Sequence, residues 1–250
     1  MLPYIIYSHT DYLDVLEIQT DYLKSYENKY LLINTNDIPL NISCNYKGII
    51  EYDDALTYPG RLLPLKELDF EHILLIHDMD IVLYKDDSII ENIYNKIIED
   101  NIDRVDLQFD REHIDSDKIF IDNYTDFYLN RQTIGYAYNV NPSIWKLSSL
   151  LDVMNKYHNS TYRTIENDAQ QYCKDNYSIY RPYDMNKSFN CGYYKCIYFF
   201  KFLHITHHGQ YLPLSNFSRL DQEIIDEWLR IVYKFSLINN NRAFSQYVHN

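Results

Sequence analysis

The chain has 250 residues, a formal net charge of -13 at pH 7 and a pI near 5.0. A chain of this length buries roughly 70 to 75% of its unfolded surface, and one large domain over residues 1–250 is predicted. Phosphate backbones require clustered Lys and Arg, and no such cluster occurs in the sequence. Nucleic-acid binding is therefore excluded, and a cation that carries a phosphorylated ligand suits this charge better.

The cysteines and the apolar segments predict a cytoplasmic protein. The four cysteines show no CxxC pair or other zinc-site spacing, which indicates reduced packing residues. The first residues, MLPYIIYSHTDYLD, lack the basic start and the long apolar run of a signal peptide, and no segment approaches the length of a membrane span. The excess of Tyr, Asn, Ile and Asp indicates AT-rich codons, as in a low-GC bacterium or a large DNA virus. In the viral case, we expect the host cytoplasm.

Predicted strands and helices alternate along the chain. The predicted strands cover residues 3–8, 30–33, 48–50, 72–77, 105–109, 134–140 and 198–206. The predicted helices cover residues 13–26, 58–68, 88–99, 141–157, 164–176 and 218–238, and the last of them opens a C-terminal helical extension, 218–250. This alternation predicts an α/β protein with a mostly parallel central sheet flanked by helices.

The most informative stretch is EHILLIHDMDIVLYKDD, in which a buried strand ends on two carboxylates, Asp78 and Asp80. Ligand crevices of open α/β sheets lie beyond the carboxyl ends of the strands. Residues two apart in an extended chain point to one side, so both carboxylates can face one hard cation that neutralises a diphosphate. The alternative is a solvated loop or a helix cap, since a second DxD occurs at Asp115 and Asp117 without a preceding apolar strand.

The element HILLIHDMDIVL resembles the DxD strand of the GT-A-type glycosyltransferases, whose domain is Rossmann-like. The order of the neighbouring elements YSHTDY, YPGRLLPLKEL and NPSIW is also similar to that family. The resemblance implies Mn²⁺ or Mg²⁺ as cofactor, with Asp80 as a metal ligand and Asp78 on the metal or the ribose. It implies a nucleotide-sugar donor, UDP- or similar, and a glycan or small-molecule acceptor; the oligomeric state stays open.

The loop after the first predicted strand is where this family places the nucleotide base. His9, Thr10, Asp11 and Tyr12 are the candidates there, because Asp11 can accept from a pyrimidine N–H and Tyr12 offers a stacking face. Capping of the next helix is the alternative role for Thr10 or Asp11.

Arg61 follows Pro59 and Gly60 at a predicted helix start, where a guanidinium and free N–H groups suit a phosphate or a carboxylate. The alternative is a solvated Arg61 paired with Glu67 or Asp69.

Three histidines near the end of the last predicted strand are further metal candidates. In the resembled family, some members place a third metal ligand in a late H-x-x-G segment, and FLHITHHG departs from that spacing. Strand alternation predicts that His204 and His208 share a face and that His207 lies on the other, so they cannot all reach one ion. His204 and His207 are retained as candidates, against the alternative of packed histidines.

RTIENDAQ resembles the acceptor-side helix of the family, which implies that Glu166 or Asp168 is the catalytic base of an inverting transfer. Only one of the two can take that role, since they face different ways on a helix. Acids enriched at a helix start are the alternative. Trp145 is a candidate for the acceptor side or, alternatively, a core residue.

The leading hypothesis is a metal-dependent, inverting glycosyltransferase. A non-catalytic nucleotide or sugar binding module keeps the same crevice without chemistry. A phosphatase of the haloacid-dehalogenase type also uses D-x-D after a strand, but Ile81 and Val82 stand where that family has Gly-Thr.

Overall fold

The computed structural model describes residues 1–108, 118–121, 127–131, 137–184, 188–190, 195–207, 209–213, 221–237 and 242–244. Its strands are Tyr4–Tyr7 (β1), Lys29–Ile33 (β2), Gly48–Glu51 (β3), His72–His77 (β4), Asp80–Lys85 (β5), Arg104–Asp106 (β6), Lys118–Phe120 (β7), Phe127–Arg131 (β8), Ser143–Lys146 (β9), Ile179–Asp184 (β10), Ser188–Asn190 (β11), Lys195–Ile197 (β12), Phe200–His204 (β13), Thr206–His207 (β14) and Gln210–Tyr211 (β15). Its helices are Leu13–Tyr22 (α1), Leu40–Ser43 (α2), Tyr58–Leu62 (α3), Asp87–Glu99 (α4), Leu147–Lys156 (α5), Ile165–Asp168 (α6), Gln170–Asn176 (α7) and Gln222–Lys234 (α8).

The central sheet has the strand order β3-β2-β1-β4-β9-β6-β10-β8-β7. Its first four strands are mutually parallel, and only β9 and β8 run against the common direction. The predicted α/β class with a mostly parallel sheet is thus confirmed. The strand order reverses next to β1, because β2 and β3 extend to one side of it and β4 lies on the other.

Alternating side chains of the central strands build two hydrophobic cores, one on each face of the sheet. In β4, Leu74 and Ile76 face the core that α1, α4 and α8 cover. Ile73 and Leu75 face the core that α3, α5, α6 and α7 cover. The period of two in a strand buried on both faces explains why residues 73–76, ILLI, are an unbroken apolar run.

A second sheet, β11-β12-β13-β5, packs on the α1 side. The chain enters it by turning at Asp78 and Met79 directly after β4. Ile81 and Val82 in β5 are buried, and the Val82 N–H donates to Gln19 Oε1 on α1 at 3.0 Å. The turn therefore moves the chain from the central sheet to a second layer at the point where the two aspartates lie.

The helix of the predicted C-terminal extension, α8, is part of the first core. Ile224, Trp228 and Ile231 of α8 are buried there. Among the helices described above, none combines the length and the apolar composition that a bilayer crossing requires. Cys173 and Cys196 are buried and reduced, whereas Cys44 is exposed; Cys191 lies outside the described residues.

The predicted helix at 141–157 is wrong in its first third. Ser143–Lys146 forms β9, which inserts antiparallel between β4 and β6, and the helix begins only at Leu147. The residues after Pro142 form a strand because β4 and β6, which lie on either side of them, supply hydrogen-bond partners. A local sequence pattern does not reveal these partners. The predicted strand at 134–140 is not formed at 137–140, and its first residues lie outside the described part.

Trp145, a candidate for the acceptor side, lies in the core. It is 2% exposed in β9, and the Arg104 guanidinium carbon lies 4.8 Å from its ring centroid. Arg104 is itself fully buried and donates to the carbonyl of Ala137 at 2.8 Å and to Ser143 Oγ at 2.7 Å. The indole therefore covers a buried cation network and is not available to a substrate.

We expect Trp145→Ala to lower the free energy of unfolding by about 3 to 5 kcal/mol, since it removes a large buried ring. Chemical denaturation measures this loss. Trp145→Phe, the matched control, should lose less, and any folded variant should bind ligands in the cleft as the wild type does. A stable Trp145→Ala protein with impaired ligand binding would contradict the core assignment.

Candidate functional site

A cleft of about 1070 Å³ opens at the carboxyl ends of the parallel strands. Its floor lies where β1 and β4 meet, beside the reversal of strand order. The Ser8 hydroxyl after β1 donates to Asp78 Oδ2 after β4 at 2.5 Å, and the Asp78 N–H donates to the Tyr7 carbonyl at 2.9 Å. Such switch points are where open α/β sheets bind ligands.

Asp78 lines the cleft floor and is only 3% exposed. Burial raises the pKa of its carboxyl group to about 7, and the nearby charge of Asp80 raises it further, against the hydrogen bond from Ser8. A cation that enters the cleft would therefore stabilise the ionised form of this carboxyl group. The predicted position of Asp78, at the end of a buried central strand and inside a cleft, agrees with the structure.

Asp80 is buried behind the residues that line the cleft. It begins β5 and is 3% exposed, and its Oδ1 atom is 2.8 Å from His204 Nδ1. His204 ends β13, in register with Asp80, and lines the cleft. The two aspartates are therefore not on one side of a single extended strand, because the turn at residues 78–79 separates them. The second sheet instead brings His204 to the DxD segment.

Because the pKa of Asp78 is raised, the free energy of unfolding of the metal-free protein should depend on pH. The folded state holds this proton more tightly than the unfolded state, where the pKa is near 3.8. The associated stability is complete below about pH 4 and is lost as the pH rises through about 7, a change on the order of 4 kcal/mol.

We expect wild-type stability to fall over this pH window relative to Asp78→Asn, which cannot ionise. Urea unfolding of both metal-free proteins between pH 5 and pH 8 measures the difference. Parallel profiles for the two proteins would show that Asp78 does not titrate as described.

The loop after β1 forms a 3₁₀ turn, Thr10–Tyr12, of which Asp11 and Tyr12 line the cleft. His9 caps this turn, because its Nδ1 accepts from the Asp11 N–H at 3.0 Å, and it also lines the cleft. Thr10 does not line the cleft: its N–H donates to Asn34 Oδ1 at 2.9 Å, and its Oγ1 accepts from Asn34 Nδ2 at 3.1 Å. The structure thus places three of the four candidates at the cleft and gives Thr10 a role in fixing the loop.

Arg61 lines the cleft, as the interpretation of a ligand-binding arginine requires, and it also pairs with an acidic side chain. Its Nη2 lies 3.0 Å from Asp54 Oδ1, and its Nε donates to the Leu56 carbonyl at 2.9 Å. Glu67 and Asp69, the partners in the alternative interpretation, are not the ones that Arg61 contacts. Asp54 also accepts from His9 Nε2 at 3.1 Å and so links the two loops.

Glu166 and Asp168 separate as expected for a short helix. Glu166 in α6 lines the cleft, and its Oε1 accepts from the Val140 N–H at 2.9 Å. Gln170 fixes the same region, because its Oε1 accepts from the Ala137 N–H at 2.6 Å and its Nε2 donates to the Glu166 carbonyl. Asp168 accepts from Ser160 Oγ at 2.6 Å and does not line the cleft.

The cleft also contains residues that were not predicted from the sequence. His77 is buried beside Asp78, and its Nε2 lies 2.9 Å from the Tyr58 hydroxyl. Burial lowers the pKa of His77 to about 4, so its imidazole is neutral at pH 7. Tyr162 covers His77 and Tyr58 at ring-centroid distances of 5.6 and 5.1 Å and is 37% exposed. The only sequence signal for these aromatic side chains was the high tyrosine content, which does not identify positions.

His207 in β14 pairs through its backbone with Gln210 in β15, but its side chain and all of His208 lie outside the described part of the chain. Within that described part, no three or more His, Cys, Asp or Glu side chains form a group that could hold a metal ion by themselves. The carboxylates of Asp78 and Asp80 remain candidate ligands: Asp78 lines the cleft, and Asp80 lies behind it with its Oδ1 atom 2.8 Å from His204 Nδ1. Magnesium-type ions are commonly bound through one or two carboxylates, with substrate phosphates and water completing the coordination.

Comparisons with known proteins do not assign a family. No protein-family model and no curated protein match the chain. A cytidylyltransferase structure from Leptospira borgpetersenii is 10% identical with a TM-score of 0.46, over 98% of this chain and 99% of that chain. A structure of TarS from S. aureus is 14% identical with a TM-score of 0.44, over 95% of this chain and 73% of that chain.

The bifunctional IspDF from Campylobacter jejuni is 16% identical with a TM-score of 0.42 and matches 72% of this chain. This chain spans about half of its length, 48%. Because each of these three TM-scores is below 0.5, the similarities identify neither an activity nor a ligand for this chain.

Proposed function

We propose that the protein is a metal-dependent glycosyltransferase that uses a nucleotide-diphosphate sugar. The observation that carries the proposal is the position of Asp78: a buried carboxylate on the cleft floor at the switch point of the sheet. His204 also lines the cleft, and Asp80 lies behind it, next to His204. This arrangement supports the binding of a cation together with a diphosphate.

Asp78 and Asp80 would hold Mn²⁺ or Mg²⁺, with His204 either as a further ligand or as the group that orients Asp80. When bound, the ion offsets the negative charge on the departing diphosphate. Ser8 fixes Asp78 through its hydrogen bond, and His204 restrains Asp80. These contacts limit the motion of both carboxylates before the ligand arrives, which lowers the cost of binding.

The loop after β1 would bind the nucleoside part of the donor. Tyr12 offers an aromatic face, and Asp11 offers a carboxylate acceptor for a base N–H. His9 and Asp54 hold this loop against the neighbouring one, so the base site has a defined shape.

Glu166 would accept the proton of the acceptor hydroxyl in an inverting transfer. Its Oε1 is occupied by the Val140 N–H, and this bond fixes the carboxylate while Oε2 remains for the substrate. The exposed ring of Tyr162 and the apolar side chain of Leu56 border the same cleft and would line the acceptor side.

The experiment is a thermal-shift panel of nucleotide-sugars, each with and without Mn²⁺, followed by an assay for transfer and for donor hydrolysis. We expect at least one nucleotide-sugar to raise the melting temperature only when Mn²⁺ is present, and to be turned over. Binding without turnover would favour a non-catalytic module. Turnover of an aryl phosphate without any nucleotide-sugar binding would favour a phosphatase.

A further inference from the structure

Arg242, near the end of the chain, contacts the loop that lines the nucleoside side of the cleft. Its Nε and Nη2 donate to the two carboxylate oxygens of Asp14 at 2.9 and 3.0 Å, and its Nη1 donates to the Gly209 carbonyl at 2.7 Å. Its Nη2 also donates to the Asp11 carbonyl. One guanidinium therefore joins α1, the turn between β14 and β15, and the Thr10–Tyr12 turn.

The same guanidinium lies against the face of Tyr12. The Arg242 guanidinium carbon is 4.4 Å from the Tyr12 ring centroid, which is a cation–π distance. Tyr12, Asp11 and Gly209 all line the cleft. Arg242 thus contacts, from one side, residues whose other side borders the cleft.

The geometry argues against Arg242 as a direct phosphate ligand. Its bonds to Asp14, Gly209 and Asp11 use four of the five N–H donors of a guanidinium. Its side chain is only 12% exposed, and the bidentate pair with Asp14 fixes its plane. Asp14 is itself held by the Tyr211 hydroxyl at 2.6 Å. A guanidinium whose donors are used in this way fixes the position of the protein groups that it contacts.

The segment that carries Arg242 has its own attachment to the fold. The Tyr211 N–H donates to the Ala243 carbonyl at 3.0 Å, and the Phe244 ring packs on Tyr211 at 5.6 Å. Residues 242–244 therefore do not depend on the guanidinium alone for their placement, and a substitution of Arg242 can be expected to leave the segment attached.

We propose that Arg242 is a positioning residue that holds the Thr10–Tyr12 turn in the shape that binds the nucleoside of the donor. This inference rests on the proposed function, since it assigns the Tyr12 side of the cleft to a nucleoside. Its specific consequence is that Arg242 affects the binding of the nucleoside, whereas binding of the cation and the diphosphate depends on Asp78 and Asp80.

The test compares two ligands on the full chain by calorimetry with Mn²⁺: the nucleoside diphosphate that the wild type binds most tightly among UDP, GDP, CDP and ADP, and pyrophosphate. We expect Arg242→Gln to weaken nucleoside diphosphate binding by at least about 5-fold, because the Tyr12 ring loses the contact that fixes it for stacking on the base. Pyrophosphate binding should stay within about 2-fold of wild type.

Arg230→Gln is the matched control, because Arg230 is an arginine bound to Glu227 and Tyr22 on the outer side of α8, away from the cleft. It should change neither affinity. Tyr12→Ala should reproduce the Arg242→Gln pattern, and the double variant should lose less than the product of the two effects, since both act on one contact. Arg242→Lys, which keeps the charge without the planar fork, should recover only part of the affinity.

Three outcomes would overturn the inference: equal losses for both ligands, no loss for either, or fully multiplicative effects of Arg242→Gln and Tyr12→Ala. A wild-type protein that binds neither ligand with Mn²⁺ would instead overturn the proposed function itself. The two failures are therefore distinguishable.

Discussion

Asp80→Asn is expected to abolish Mn²⁺-dependent binding of the nucleotide-sugar while leaving the fold intact. The substitution keeps the size of a side chain that is 3% exposed and hydrogen-bonded to His204, but it removes the charge that a divalent ion requires. Loss of a group that only orients a ligand typically costs about 10- to 100-fold in metal affinity, and loss of a ligand charge should exceed that range. Asp78→Asn should have the same effect.

Calorimetry with Mn²⁺ and the nucleotide-sugar measures this loss, and circular dichroism with thermal unfolding verifies the fold. Asp69→Asn is the matched control, because Asp69 is an exposed aspartate just before the other end of β4. It should bind as the wild type does. If Asp80→Asn bound the donor with an unchanged dependence on Mn²⁺, the role of Asp80 would have to be given up.

Glu166→Gln is expected to lower kcat for sugar transfer by about 10²- to 10⁴-fold, the usual contribution of a general base. Glutamine keeps an oxygen that can accept from the Val140 N–H, so the shape of the cleft should be retained. Donor binding should remain within about 2-fold of wild type, because the base acts on the acceptor hydroxyl and not on the diphosphate.

Asp168→Asn separates the two candidate bases. Asp168 is two positions away from Glu166 on α6 and is bonded to Ser160 outside the cleft lining. It should keep kcat near the wild-type value, although it can lose some stability. A large loss of kcat in Asp168→Asn with little effect of Glu166→Gln would reverse the assignment. Small effects in both variants would indicate a retaining transfer without this base.

The local patterns predicted those elements that bury a continuous or regularly spaced apolar set. The strand His72–His77 was predicted with the observed bounds, because ILLI is apolar on both faces and is flanked by polar residues. The helix Asp87–Glu99 was predicted within one residue, since Ile89, Ile90, Ile93 and Ile97 repeat at helical spacing. Both signals depend only on neighbouring residues.

Elements that depend on distant partners were missed. The strand Asp80–Lys85 follows β4 after a short turn, and its pairing partner, Phe200–His204, is more than a hundred residues away in the chain. Ser143–Lys146 was predicted as a helix for the same reason, because its hydrogen bonds come from β4 and β6. A pattern confined to a few residues carries no information about such partners.

The candidate site shows the same division. Asp78, at the end of a predicted strand, lines the cleft, whereas Asp80 does not. The partners that complete their environment were not predictable: Asp54 for Arg61, and Ser8 for Asp78. No local pattern points to Arg242, because only the folded chain brings residue 242 to the loop at residues 9–12.

The most direct test of the central claim is a crystal structure of the protein with Mn²⁺ and the best-binding nucleoside diphosphate, with anomalous data recorded at the manganese edge. The account predicts one anomalous peak within bonding distance of a carboxylate oxygen of Asp78 or Asp80 and of the diphosphate. A nucleoside diphosphate bound in the cleft with no manganese at these carboxylates, or with manganese elsewhere, would contradict it.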